Sequence, residues 1–222
     1  MKRIFLTFLI PLFMIYGCAS LDPQEEMPAH ELASDGMEEF KKENYNKAIK
    51  SFEKLRDWYP FSKFAILAEL KIADSHYYLK EYEEAVFAYE EFEGLHPGNE
   101  VVPYVIYQIG LCYFEQIDTI DKDQTSSSKA LDIFKRLKQQ FPENEYALKA
   151  DEHINICLKN LAEHEYYVGL FYYKSKHYKA ALHRFRKVIK NYPDIGIHQK
   201  ALKHIALCEA LLQKAQKKVL SD

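Results

Sequence analysis

Tyr45-Asn46-Lys47-Ala48-Ile49-Lys50-Ser51-Phe52, running on to Trp58-Tyr59-Pro60, decides the fold, because the chain returns to the same order further along. Ala85, Ala130 and Ala181 each carry an aromatic four residues later (Tyr89, Phe134, Phe185) and a proline twelve later (Pro97, Pro142, Pro193), as Ala48 does with Phe52 and Pro60. A tyrosine stands three residues before three of these alanines (Tyr45, Tyr82, Tyr178). A small residue stands twelve before the same three (Gly36, Ala73, Gly169). A fixed internal period is a stronger signal than local propensity.

The period predicts a helix–turn–helix unit. The small residue on the first helix and the alanine on the second let the two axes approach where they cross. The aromatic lies one turn on along the same face and fills the space beside that crossing, and the proline ends the second helix. The pattern resembles the tetratricopeptide repeat over residues 31 to about 212. The expected fold is therefore all-α: a tetratricopeptide-repeat solenoid of about five repeats in nine or ten helices. Two departures shape it. Gly110 is followed by Ala130 after twenty residues rather than twelve, so a polar loop within Asp118–Ser128 is inserted in the third unit. Between Pro142 and Gly169 no proline intervenes and apolar residues keep helical spacing, which predicts one long helix over 145–174. The fifth unit, His198 to Gln213, leaves only Lys214–Asp222 for a closing helix.

Outward from the repeats, the first residues read as a leader. Met1-Lys2-Arg3 precedes an apolar run to Tyr16, too short to span a bilayer comfortably, and Gly17-Cys18-Ala19-Ser20 follows. This resembles the lipobox of bacterial lipoproteins, which implies cleavage before Cys18, lipidation of its thiol and, with Ala19 next, sorting to the outer membrane. Two or three acyl chains would anchor the chain stably. The expected organisation is a signal peptide (1–17), a lipidated tether (18–29), three repeats forming a peptide groove (30–144), and the long helix with repeats four and five as a docking module (145–222).

The chain carries 30 basic and 33 acidic residues for a net charge of −3, and offers no basic field to hold nucleic acid. Three further cysteines, Cys112, Cys157 and Cys208, lie far apart with no Cys-x-x-Cys, which argues against a zinc site. Cys112 and Cys208 fall at matching repeat positions and read as small core residues. No nucleophile elbow, phosphate loop or His-Glu-x-x-His is present, so neither enzyme activity nor a cofactor or metal is expected. His164-Glu165 reads as a surface pair. Positions four after and three before the small anchor of a first helix face the inner side of a stacked array. They select Phe40, Leu70, Tyr77, Tyr107 and Phe114 as the lining of a peptide groove. Arg184, Lys187 and Lys190 give the fourth unit a basic face suited to an acidic partner.

Several segments resemble the BamD family of outer-membrane assembly lipoproteins: Trp58-Tyr59-Pro60-Phe61-Ser62, Tyr104-Val105-Ile106-Tyr107-Gln108-Ile109-Gly110-Leu111, Asp121-Lys122-Asp123-Gln124-Thr125, and Leu161 to Tyr173. The resemblance implies a non-catalytic subunit of the β-barrel assembly machine, lipid-anchored on the periplasmic face of the outer membrane. Its C-terminal repeats would hold the periplasmic domains of the barrel subunit BamA beside other Bam lipoproteins. Its N-terminal groove would receive unfolded barrel precursors. A periplasmic scaffold for cell division or for pilus or secretin assembly, built from the same repeats, is the alternative.

Overall fold

The computed structural model describes residues 27–221, so Cys18 and the leader lie outside the described residues. Within them the chain forms nine α-helices and no strand: α1 (Ala29–Lys41), α2 (Tyr45–Trp58), α3 (Ala65–Tyr78), α4 (Tyr82–Leu95), α5 (Val102–Phe114), α6 (Thr125–Gln140), α7 (Glu145–Lys174), α8 (Tyr178–Asn191) and α9 (His198–Ser221). Each helix packs chiefly against its neighbours in sequence, and α5 also touches α7. That is the connectivity of a tetratricopeptide-repeat solenoid, and the all-α expectation holds.

The small-residue rule has a direct structural cause. A Cβ added to Gly36 would stand 2.6 Å from Cε1 of Phe52, and Gly110 and Gly169 are covered in the same way by Phe134 and Phe185. The aromatic does not sit beside the crossing, as the spacing alone suggests; its ring lies on the glycine. In the second unit the pair is Ala73 and Tyr89, both fully buried. Three first-to-second turns share one device. Glu43, Lys80 and Lys176 take φ of 60°, 62° and 62°. This left-handed residue closes the helix end, and the next amide (Asn44, Glu81, His177) bonds back to Glu39, His76 and Tyr172.

Four buried clusters follow one another along the array. They are centred on Phe52, Tyr89, Phe134 and Phe185. The long helix appears where its spacing predicts it, and it serves two of them. Ala147, Ala150 and Cys157 pack on α6, whereas Ala162 packs on α8. The inserted loop is shorter than expected, because Thr125 to Ser128 already belong to α6. It is tied to α7: Asn160 donates to Gln124 and to Ser127, both at 2.8 Å, and His164 donates to the Ile120 carbonyl at 2.7 Å. The last helix departs from expectation too. Instead of ending at Gln213 it continues to Ser221, since nothing at 214 breaks the helical spacing. Among the described residues no helix covers the matching small residue of the fifth unit, Ala206, which is exposed along with Leu202 and Leu207.

Candidate functional site: the inner face of the first helices

The first helices α1, α3, α5, α7 and α9 carry the inner face. All five expected groove residues stand on them and are half-buried. They do not form one uniform lining. Phe40 meets Tyr45 and Tyr78 edge-on, with ring centroids at 5.3 and 5.8 Å, and Tyr45 stacks on Tyr78 at 5.1 Å. Tyr77 joins this group through Tyr78 and Tyr82, and Leu70 packs on the second cluster. Tyr107 and Phe114 form a separate group around Phe134 and His153, with His153 4.6 Å from the Phe114 ring. Burial pushes the Tyr77 hydroxyl up to about 12, with Glu115 adding to it, and raises that of Tyr107. Both therefore stay neutral hydrogen-bonding groups beside apolar rings.

Sequence reasoning missed the polar residues of this face, although a spacing marks them. Nineteen residues after each second-helix aromatic comes Lys71, Gln108, His153 and His204 in turn. Lys71 lies over the Phe40 ring at 4.7 Å and donates to Asp74 at 2.7 Å. Asp74 is 1% exposed and also accepts from Tyr89 and Tyr104, both at 2.7 Å, while Gln108 donates to the Tyr104 hydroxyl at 2.8 Å. Desolvation, reinforced by the Asp74 charge, drives both tyrosine hydroxyls well above their ordinary value. The clue was local: the residue after the small anchor is apolar elsewhere (Met37, Leu111, Leu170) but is Asp74 in α3.

The expected basic face needs correction. Glu165 is no surface residue; it is 6% exposed and takes Arg184 at 2.9 Å and Lys187 at 2.5 Å. Burial alone would raise its carboxyl, but the hydrogen bonds from Lys187 and Arg184 outweigh that and hold it below its ordinary value. Two of the three cations are thus committed inside the module, and only Lys190 is exposed. Glu165 occupies the slot four before the small anchor, where Leu32 and Ile106 stand in the first and third units. Glu69 fills it in the second and pairs with His96 at 2.5 Å. Acids in an apolar slot were the missed signal. Cys112, Cys157 and Cys208 are free and buried. Among the described residues no three His, Cys, Asp or Glu converge as metal ligands, and no helix is long and apolar enough to cross a membrane.

Residues 25–220 match the protein family described as YfiO, outer membrane lipoprotein. The chain belongs to this family. Among its relatives is the outer membrane protein assembly factor BamD of Caulobacter vibrioides, 32% identical over 203 residues, covering 89% of this chain and 66% of that protein. The protein of the same name from Rickettsia prowazekii is 33% identical over 178 residues, 79% of this chain and 71% of its own length. The chain thus spans about two thirds of the Caulobacter family member. Among solved structures, a tetratricopeptide-repeat protein of Thermus thermophilus covers 81% of this chain and 100% of its own at 14% identity and a TM-score of 0.43, a likeness too loose to carry an argument.

Proposed function

We propose that the chain is a non-catalytic subunit of outer-membrane protein assembly, lipid-anchored through Cys18 on the periplasmic face. Family membership across residues 25–220 carries this reading. The relatives named as assembly factors support it. Its inner face, with Phe40, Leu70, Tyr77, Tyr107 and Phe114, receives unfolded barrel precursors. Aromatic rings with neutral hydroxyls suit an extended segment that carries both apolar side chains and unpaired backbone groups. The C-terminal module (145–222) docks the BamA-like barrel subunit and neighbouring lipoproteins. Exposed Leu202 and Leu207 on α9, with Lys190 nearby in sequence, supply the apolar and cationic contacts there.

Co-purification from solubilised outer membranes tests the reading. The protein should bring down a large barrel subunit. Lys190→Glu combined with Leu202→Ser should reduce that recovery without shifting the melting curve. Reversing Arg184 and Lys187 would be a poor probe, because it would leave three negative charges together around buried Glu165. Truncating Tyr77 and Phe114 to alanine should weaken a barrel-precursor peptide by more than about 1 kcal/mol. Absence of any barrel subunit from the purified material would sink the assembly role.

A further inference from the structure

The second helices carry a different groove. Between α2 and α4 lies a cavity of about 410 Å³, walled by Glu53 and Arg56 of α2 and by Glu84 and Phe87 of α4, with Ile72 and His76 of α3 at its floor. Phe87 is 68% exposed, an aromatic ring standing free at the rim. Glu83 and Glu91 complete the rim. The basic side chains here already have partners: Arg56 lies on Asp57 at 3.0 Å and His76 on Glu81 at 2.7 Å. Among the described residues, none of Glu53, Glu83, Glu84 and Glu91 meets a basic side chain. A neighbouring cavity of about 340 Å³ shares Glu83 and runs on past Tyr82 and Val86 to Lys129, the next cation after Arg56 along the track.

Charge is divided in the same sense over the whole chain. Residues 27–144 hold 22 acidic and 14 basic side chains, whereas residues 145–222 hold 8 and 14. A cationic partner is therefore steered to the N-terminal half and repelled from the other. The chain's own tether is not the occupant, since residues 18–26 contain Asp22, Glu25 and Glu26 and no cation. A second copy fits poorly as well. A contact between its basic half and this groove would join unlike surfaces, which closes only where the rotation between copies completes a ring.

We propose that the groove between α2 and α4 docks a cationic amphipathic segment of a partner protein, with Lys or Arg flanking a large apolar side chain. The apolar group sits against Phe87 and Ile72, and the cations meet Glu53, Glu83, Glu84 and Glu91. The site is separate from the inner face and leaves it free for a precursor.

The probe is a fluorescein-labelled helical Leu/Lys peptide, with a Leu/Glu peptide of the same pattern as control. It is titrated by anisotropy against the mature chain carrying Cys18→Ser, which needs no detergent. The Leu/Lys peptide should bind and the Leu/Glu peptide should not. Phe87→Ala, and Glu84→Gln with Glu91→Gln, should each weaken binding about tenfold. Asp132→Asn with Glu143→Gln on the same acidic half should leave it unchanged, as should Tyr77→Ala. All these side chains except Tyr77 are exposed, so the fold survives their replacement. Absence of binding, equal loss in the Asp132 and Glu143 variant, or no effect of Phe87→Ala would overturn the site as diffuse charge attraction. Loss through Tyr77→Ala would move the peptide to the inner face. Self-association of the unliganded chain that the Phe87 variant abolishes would make the occupant a second copy instead.

Discussion

The ring of Phe185 covers Gly169 so closely that a methyl group there would stand 2.6 Å from Cε1. Phe185 is fully buried, so a shift away from the new methyl group must displace packed neighbours. Gly169→Ala should therefore destabilise the C-terminal module by about 1–3 kcal/mol. This exceeds the gain of about 1 kcal/mol that alanine brings to a helix interior. Thermal unfolding measures the loss, and Gly169→Ala with Phe185→Leu should recover part of it.

Asp74 is the shared acceptor of the buried Tyr89 hydroxyl, the half-buried Tyr104 hydroxyl and the Lys71 ammonium. Asp74→Ala orphans the Tyr89 and Tyr104 hydroxyls together and should cost more than about 2 kcal/mol. Tyr89→Phe removes one donor and leaves the acceptor served, so about 1 kcal/mol is expected. Urea unfolding of the two variants should preserve that order. Equal losses would show that the ring packing, not the network, matters at this point.

Glu165 gives the C-terminal module an acid limit. Its folded carboxyl is held below its ordinary value, so its ionised form stabilises the fold above the usual carboxylate range. That contribution disappears as the pH falls through the depressed value. Melting temperature should decline on acidification, and Glu165→Gln should be less stable at neutral pH with a shallower acid limb. A wild-type slope in the variant would assign the limb to other carboxylates.

The cysteines should be silent until the chain unfolds. Burial pushes the Cys112 and Cys157 thiols up to about 12 and raises that of Cys208. Thiolate is the reactive form, so iodoacetamide at mildly alkaline pH should leave the native protein unlabelled and modify all three in denaturant.

The pairs Gly36–Phe52 and Gly169–Phe185 were legible in the sequence because a close approach demands small and aromatic residues at fixed spacing, which a single chain can display. The ends of the array and its charged interior were not. Glu165 and its partners Arg184 and Lys187 are nineteen and more residues apart, on helices whose facing sides only packing reveals. Read singly, each looked like a solvated charge. Compared down the repeats, Glu165 and Asp74 stand out as acids in slots that other units fill with Leu32 or Met37. The α9 extension was hidden for the opposite reason: Lys214 to Ser221 lacks any breaker, and the expectation of a turn came from the repeat period rather than from those residues.

Helix α7 belongs to two cores at once, gripping α6 through Ala150 and α8 through Gly169. It contains no proline, and its one glycine is pinned beneath Phe185, so it lacks the usual sites of a sharp bend. The nineteen residues between those grips span about 28 Å, and tilting such a rod by about ten degrees at one end swings the other by about 5 Å. The two halves of this molecule are therefore geared: whatever seats itself on the first three repeats and shifts α7 also turns the surface that the last two present.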